Sequence, residues 1–216
     1  MFVGHFALAF AAKRAAPKLP LALLVAACQL ADILWPVFVA IGVERVAIVP
    51  GMTAFTPLDF LSYPYSHSLV ALCLWGIVLG SVCWLGGTSG RASLILAALV
   101  VSHWLLDAVS HRPDMPIYPG SALYGLGLWN SVRATMLVEL PLFAIGVWLY
   151  ATATRARDAA GHWSFVALVA FMLIVYFGSA FGSPPPSVTA IWTVSLAGAV
   201  ILTGWSWWTD RHRGPV

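Results

Sequence analysis

The chain has 216 residues, 61% of them hydrophobic and 9% charged, with a formal net charge of +3. A soluble domain carries roughly a quarter charged residues, so this composition excludes a soluble fold of this size and points to an integral membrane protein. The small charge, spread along the ends of the apolar segments, argues against nucleic-acid binding. Cys28, Cys73 and Cys83 lie in apolar segments without CxxC spacing, which argues against a disulfide framework or thiolate metal site.

At the start of the chain, Lys13, Arg14 and Lys18 follow the short apolar run 2–12 instead of preceding it. That order is wrong for a cleaved signal peptide, and Met1 is expected to stay. The run is too short to span a bilayer. With its charges at its C-terminal end it reads as a half-helix dipping in from the cytoplasmic interface, which puts His5 roughly 12 Å above Lys13. An amphipathic helix lying flat on the surface is the alternative.

Five apolar stretches have about the 20 residues a span requires: 19–42, 66–86, 92–110, 132–154 and 163–182. A sixth, 187–208, follows the turn Ser183-Pro184-Pro185-Pro186, which cannot continue a helix. The expected fold is therefore all-α, with about six transmembrane helices plus the N-terminal half-helix. Residues 1–154 would form a metal-site core with four of the spans. Residues 155–216 would add two more to the same structural unit, since no polar linker divides them.

Lys13, Arg14, Lys18, Arg91, Arg155, Arg157, Arg211 and Arg213 fall on one side, leaving Arg45, Arg112 and Arg133 of the 11 basic residues on the other. Positive charge marks the cytoplasmic side. Both termini are then cytoplasmic, and the loops 43–65 and 111–131 face outward.

The ionisable residues within the spans carry the functional argument. Asp32 lies about 21 Å from Lys18 along the first span, where a lone carboxylate costs on the order of 3 kcal/mol and calls for a partner or a cavity. His67 opens the second span, with Ser66 as a candidate helix cap. The third span carries Ser102-His103-Trp104-Leu105-Leu106-Asp107 and then His111, a spacing of i, i+4, i+8 that stacks three polar groups on one helix face.

Imidazole and carboxylate one turn apart can share a zinc or manganese ion. His5, Asp32 and His67 come from separate segments at compatible depths, so five ligands can converge in the outer half of the membrane. Each also has a plainer reading: a packed or proton-relay Asp32, an interfacial His5 or His67, and a His103–Asp107 hydrogen bond.

Three further features stay open. Glu139 in the fourth span is a further ligand, a partner for Arg133 or a snorkelling carboxylate. Arg112 pairs with an anionic substrate or with Asp59 or Asp114. Gly76 and Gly80 form a small-xxx-small pair for helix packing.

Gly4-His5, Asp32, Tyr63-Pro64-Tyr65-Ser66-His67-Ser68-Leu69 and Ser102-His103-Trp104-Leu105-Leu106-Asp107 together resemble the bacterial inner-membrane metal-dependent hydrolases of the LexA-regulated membrane-bound type. The resemblance covers roughly residues 1–120. The last two spans fall outside it and read as scaffold.

In motif order that family is similar to the zinc-dependent phospholipase C and P1 nuclease group. The resemblance implies His67, His103 and Asp107 around one metal, His5 sharing Asp107 around a second, and Asp32 as ligand or general base. His111, Glu139 and Ser68 are the further candidates, and no His-xxx-Glu is present for a third metal.

The expected function is hydrolysis assisted by a divalent metal, zinc or manganese. Substrate would be a lipid or lipid-linked phosphoester reached from the outer side of the cytoplasmic membrane. The competing readings are a proton- or metal-conducting transporter using the same cluster, and a non-catalytic scaffold with a structural metal.

Overall fold

The computed structural model describes residues 1–216 and contains nine α-helices joined by short loops. Four of them are long and apolar enough to cross a membrane: α6 (Gly90–Ser110), α7 (Val132–Ala153), α8 (Ala159–Phe181) and α9 (Val188–Arg211). Helices α2 (Leu21–Cys28) and α3 (Leu30–Ala40), which meet at Gln29 with a bend of 57°, are long and apolar enough when taken together as one bent pair. The sequence predicts one straight helix over 19–42, but the ladder is interrupted where the Cys28 carbonyl accepts a hydrogen bond from His103. A residue whose carbonyl is engaged from outside is a normal place for a helix to kink.

The short helix α5 (Leu69–Leu85) is also apolar, and it packs along α6. Gly76 and Gly80 make that approach possible, because a Cβ at Gly76 would meet the Ala97 carbonyl at 2.9 Å. Helix α4 (Pro64–His67) is a single turn started by Pro64, whose missing N–H is not needed there. The side chain capping α5 is that of Ser68, which accepts from the Ala71 amide at 3.2 Å, and not that of Ser66.

Helix α1 (Val3–Ala15) does not lie flat on a surface. It is enclosed by α2, α6, α7 and α8, with Val3, Phe6, Ala7, Ala9 and Phe10 buried in the main core. Gly146 of α7 lies so close to the Ala7 backbone that a Cβ there would overlap it. At its lower end, Lys13 donates to Asp210 of α9 and to the Leu19 carbonyl, both at 2.7 Å.

Large apolar side chains stand on the outer faces, among them Ile77, Leu85, Leu105, Leu137, Ile174 and Val200. Helices that are hydrophobic all round belong in lipid. These observations make the chain a multi-pass membrane protein.

Three antiparallel strand pairs close the ends of the bundle. In the loop after α3, β1 (Arg45–Ile48) pairs with β2 (Leu58–Ser62). Between α6 and α7, β3 (Met115–Pro116) pairs with β4 (Leu123–Tyr124), and β5 (Thr154–Ala156) pairs with β6 (Arg213–Pro215) at the C-terminus. The first two pairs cover the end of the bundle where the polar residues gather.

Candidate metal centre

Helix α6 presents His103 and Asp107 on successive turns, both buried, with His103 Nε2 3.1 Å from Asp107 Oδ2. The first turn of α1 adds His5, whose Nε2 lies 3.0 Å from Asp107 Oδ1 and whose ring stacks on that of His103 at 3.7 Å. The bend at Gln29 turns the first turn of α3 inward and brings Asp32 Oδ1 to 3.8 Å from His103 Nε2. The last residue of α4 supplies His67, whose Nε2 is 3.5 Å from Asp32 Oδ1 and 3.9 Å from Asp107 Oδ2. All five residues singled out in the sequence thus share one site.

They fall into two compact sets, Asp32 with His67 and His103, and His5 with His103 and Asp107, each with its ligand atoms within 4.8 Å of one another. The resemblance implies a different division, with His67, His103 and Asp107 together and Asp107 shared. Here the stacked rings of His5 and His103 place His103 between the sets, and the bent first span carries Asp32 to His67.

Hydrogen bonding fixes the tautomers of two imidazoles. A backbone carbonyl can only accept, so His103 donates its Nδ1–H to Cys28 O at 2.8 Å. The Ser66 hydroxyl donates to Glu44 Oε2 at 2.6 Å and accepts from His67 Nδ1 at 2.7 Å. In both rings the Nε2 lone pair then faces carboxylate oxygens. The buried His103 Nε2 has no hydrogen-bond partner.

Lone pairs and carboxylates facing one another at these distances are brought together by a shared proton or by a metal ion between them. Neutral imidazole and carboxylate are the ligand set of zinc and manganese, and imidazoles anchored through their other nitrogen are typical of metal sites. The residues therefore fit a divalent ion. The Met1 amino group also reaches Asp107, and lies 2.9 Å from Ser110 Oγ.

The additional candidates have other partners. Glu139 meets neither the cluster nor Arg133: its Oε2 accepts from the Phe2 and Gly4 amides at 2.9 and 3.3 Å. It satisfies amides at the start of α1 and holds His5 in place. Helix α6 ends at Ser110, so His111 leaves the helix face predicted for it and reaches the cluster from the cap, with Nε2 3.8 Å from Asp107 Oδ2.

The Nδ1 of His111 faces Asp114 Oδ1 at 3.0 Å, and the Tyr63 hydroxyl donates to the same oxygen at 2.7 Å. Burial, and then the Asp114 carboxylate, hold the Tyr63 hydroxyl well above the usual phenol range, so it stays a donor. Arg112 is tied to Asp59 and Asp114, and links β2 to this rim.

Glu44 is the supporting residue that the sequence reading did not pick out, while Tyr63 and Asp114 entered it only as a motif residue and as a partner for Arg112. Glu44 accepts from the Tyr65 and Ser66 amides at 2.8 and 2.9 Å as well as from the Ser66 hydroxyl, and so builds the turn that carries His67. Nothing in the spacing marks it, since it lies 22 residues from Ser66.

A cavity of about 520 Å³ opens at the cluster, lined by Asp32, His67, Asp107 and His111 at that end. The Asp32 side chain is 43% exposed, whereas that of Asp107 is 3% exposed. Asp32 is thus the carboxylate a ligand in the cavity can touch. The far wall comes from α8 and α9, so the last two helices do more than scaffold the site. No known protein family, curated protein or solved structure matches the chain.

Proposed function

We propose that this protein is a membrane-embedded, divalent-metal-dependent hydrolase of a lipid or lipid-linked phosphoester, with zinc as the preferred ion and manganese as a substitute. One observation carries the reading: two imidazoles anchored at Nδ1 turn bare Nε2 atoms toward Asp32 and Asp107 at the end of a cavity. The likeness of the Tyr63–Leu69 and Ser102–Asp107 segments to the inner-membrane hydrolases supports it.

His67 and His103 with Asp32, and His5 and His103 with Asp107, would hold the metal, Asp32 from the cavity side. A bound divalent ion polarises a scissile oxygen and lowers the pKa of water to about 7. The Asp32 carboxylate orients the attacking water and accepts its proton. Glu44 and Ser66 keep the proton of His67 on Nδ1, and Tyr63 with Asp114 fixes His111 at the rim.

In the membrane, the α2–α3 pair, α5, α6, α7, α8 and α9 make six crossings, and α1 is a half-helix entering from the cytoplasmic side. Helix α5 rises about 25 Å, a little under the bilayer core, and α4 adds the missing turn. The distribution of Lys and Arg supports a cytoplasmic C-terminus and a cluster toward the outer face of the inner membrane, whereas the N-terminus, expected on the cytoplasmic side, is buried beside Asp107 and Ser110 in the cluster.

The test is turnover by purified protein, stripped of metal and reloaded with zinc or manganese, on phospholipids and lipid-linked phosphoesters. Metal-dependent release of the head group, reduced about a hundredfold or more by Asp32→Asn, is expected. Metal or proton flux in proteoliposomes without any turnover would overturn the reading in favour of a transporter.

A further inference from the structure

Gln29, Asp32 and Trp35 lie along the α2–α3 bend and line the cavity beside the cluster. Phe171 and Val175 of α8 and Val194, Gly198 and Leu202 of α9 give the same cavity an apolar lining. From Val194 to Leu202 helix α9 rises about 12 Å. The volume of about 520 Å³ falls in the range of small-ligand sites. Its ends differ in chemistry.

Trp129 packs on His111 with ring centroids 4.2 Å apart. Asp32, His67, Asp107 and His111 make the cluster end polar. The α8–α9 end offers mainly hydrocarbon contact.

Resting on the hydrolase reading, we propose that the site takes one amphiphile. Its phosphoester head sits at the end lined by Asp32, His67 and His111, and its hydrocarbon chain lies in a slot lined by apolar residues of α8 and α9. Gly198 sets how much chain the slot accepts. A Cβ at Gly198 meets nothing within 4 Å, so a larger side chain there projects into the cavity without striking the backbone. Gly204 is equally open but does not line the cavity, which makes it the matched control.

The experiment uses full-length, metal-free protein in detergent and a lysophosphatidylcholine with a photoreactive group on its acyl chain. Saturable labelling is expected within 171–179 and 194–203, displaced by unlabelled long-chain lysolipid but not by glycerophosphocholine. Gly198→Leu should weaken labelling about tenfold, and Gly204→Leu should leave it unchanged. Val194→Trp, checked for the wild-type elution volume, serves as a second slot-filling variant.

Labelling that does not saturate, or that is equal in the Gly198→Leu and Gly204→Leu proteins, overturns the slot. Saturable slot labelling in a protein that shows no turnover with any metal supports the slot and overturns only the hydrolase reading.

Discussion

His103 donates its Nδ1–H to the carbonyl of Cys28 at 2.8 Å, joining α6 to the point where the first span breaks. One contact thus does two things. It leaves His103 Nε2 bare between Asp32 and Asp107, and it engages the carbonyl at the bend that swings Asp32 inward. Ligand orientation and helix geometry are coupled there.

The hydrogen-bond relay behind His67 sets the affinity of the site. Ser66→Ala removes the acceptor for His67 Nδ1–H, and Glu44→Gln weakens the pull on that hydroxyl. Each should weaken zinc binding about 10- to 100-fold, measured by competition with a chromogenic chelator. Wild-type affinity in Ser66→Ala would contradict the assigned tautomer.

Glu139 acts through α1 rather than through the ion. Glu139→Ala leaves the Phe2 and Gly4 amides without their acceptor and should cost about 1–2 kcal/mol. Glu139→Gln, which keeps an oxygen in place, should cost less than half of that. Unfolding in mixed micelles by denaturing detergent gives both values, and an equal loss in the two variants would mean that charge, not acceptance, is what matters.

At the other end of α1, Lys13 and Asp210 form an ion pair with side chains 5% and 14% exposed. Asp210 also accepts from the Tyr150 hydroxyl and the Leu21 amide, at 3.1 Å each. Lys13→Met strands that carboxylate and should destabilise the fold by about 3–5 kcal/mol. Adding Asp210→Leu should recover much of the loss, as the same micelle unfolding assay would show.

Acid should loosen the C-terminal tether. Hydrogen bonding from His212, and then from the Gly161 amide, holds the Asp158 carboxyl below its ordinary value of 3.8. The unfolded chain therefore takes up this proton first on acidification. The pair's contribution is complete above about pH 4 and fades as pH falls through the lower folded value. The protection factor of the Gly161 amide should fall over that window in the wild type, with Asp158→Asn showing no such step.

The sequence exposed the ligands because their chemistry is costly in lipid: Asp32, His103 and Asp107 stand out against an apolar background. It also exposed α6 to α9, whose lengths and end signals are local. The bend at Gln29 was not legible, since it follows from a side chain 75 residues away in the chain. Glu44 escaped for the same reason, as did the use of Glu139 as a cap for a helix 135 residues earlier. The α8–α9 wall was read as scaffold because apolar lining and apolar packing look alike in one dimension. In the sequence Ser66 reads as the cap and Ser68 as a site candidate, and the structure gives the cap to Ser68 and the His67 contact to Ser66.

The central claim is that His5, Asp32, His67, His103 and Asp107 bind a divalent ion as one centre. Its most direct test is the metal content of detergent-purified protein after zinc loading and removal of free metal. Wild type should retain about one or two zinc ions per chain, while His103→Ala combined with Asp107→Ala, monodisperse by gel filtration, should retain essentially none. Equal zinc content in the two proteins would contradict the account.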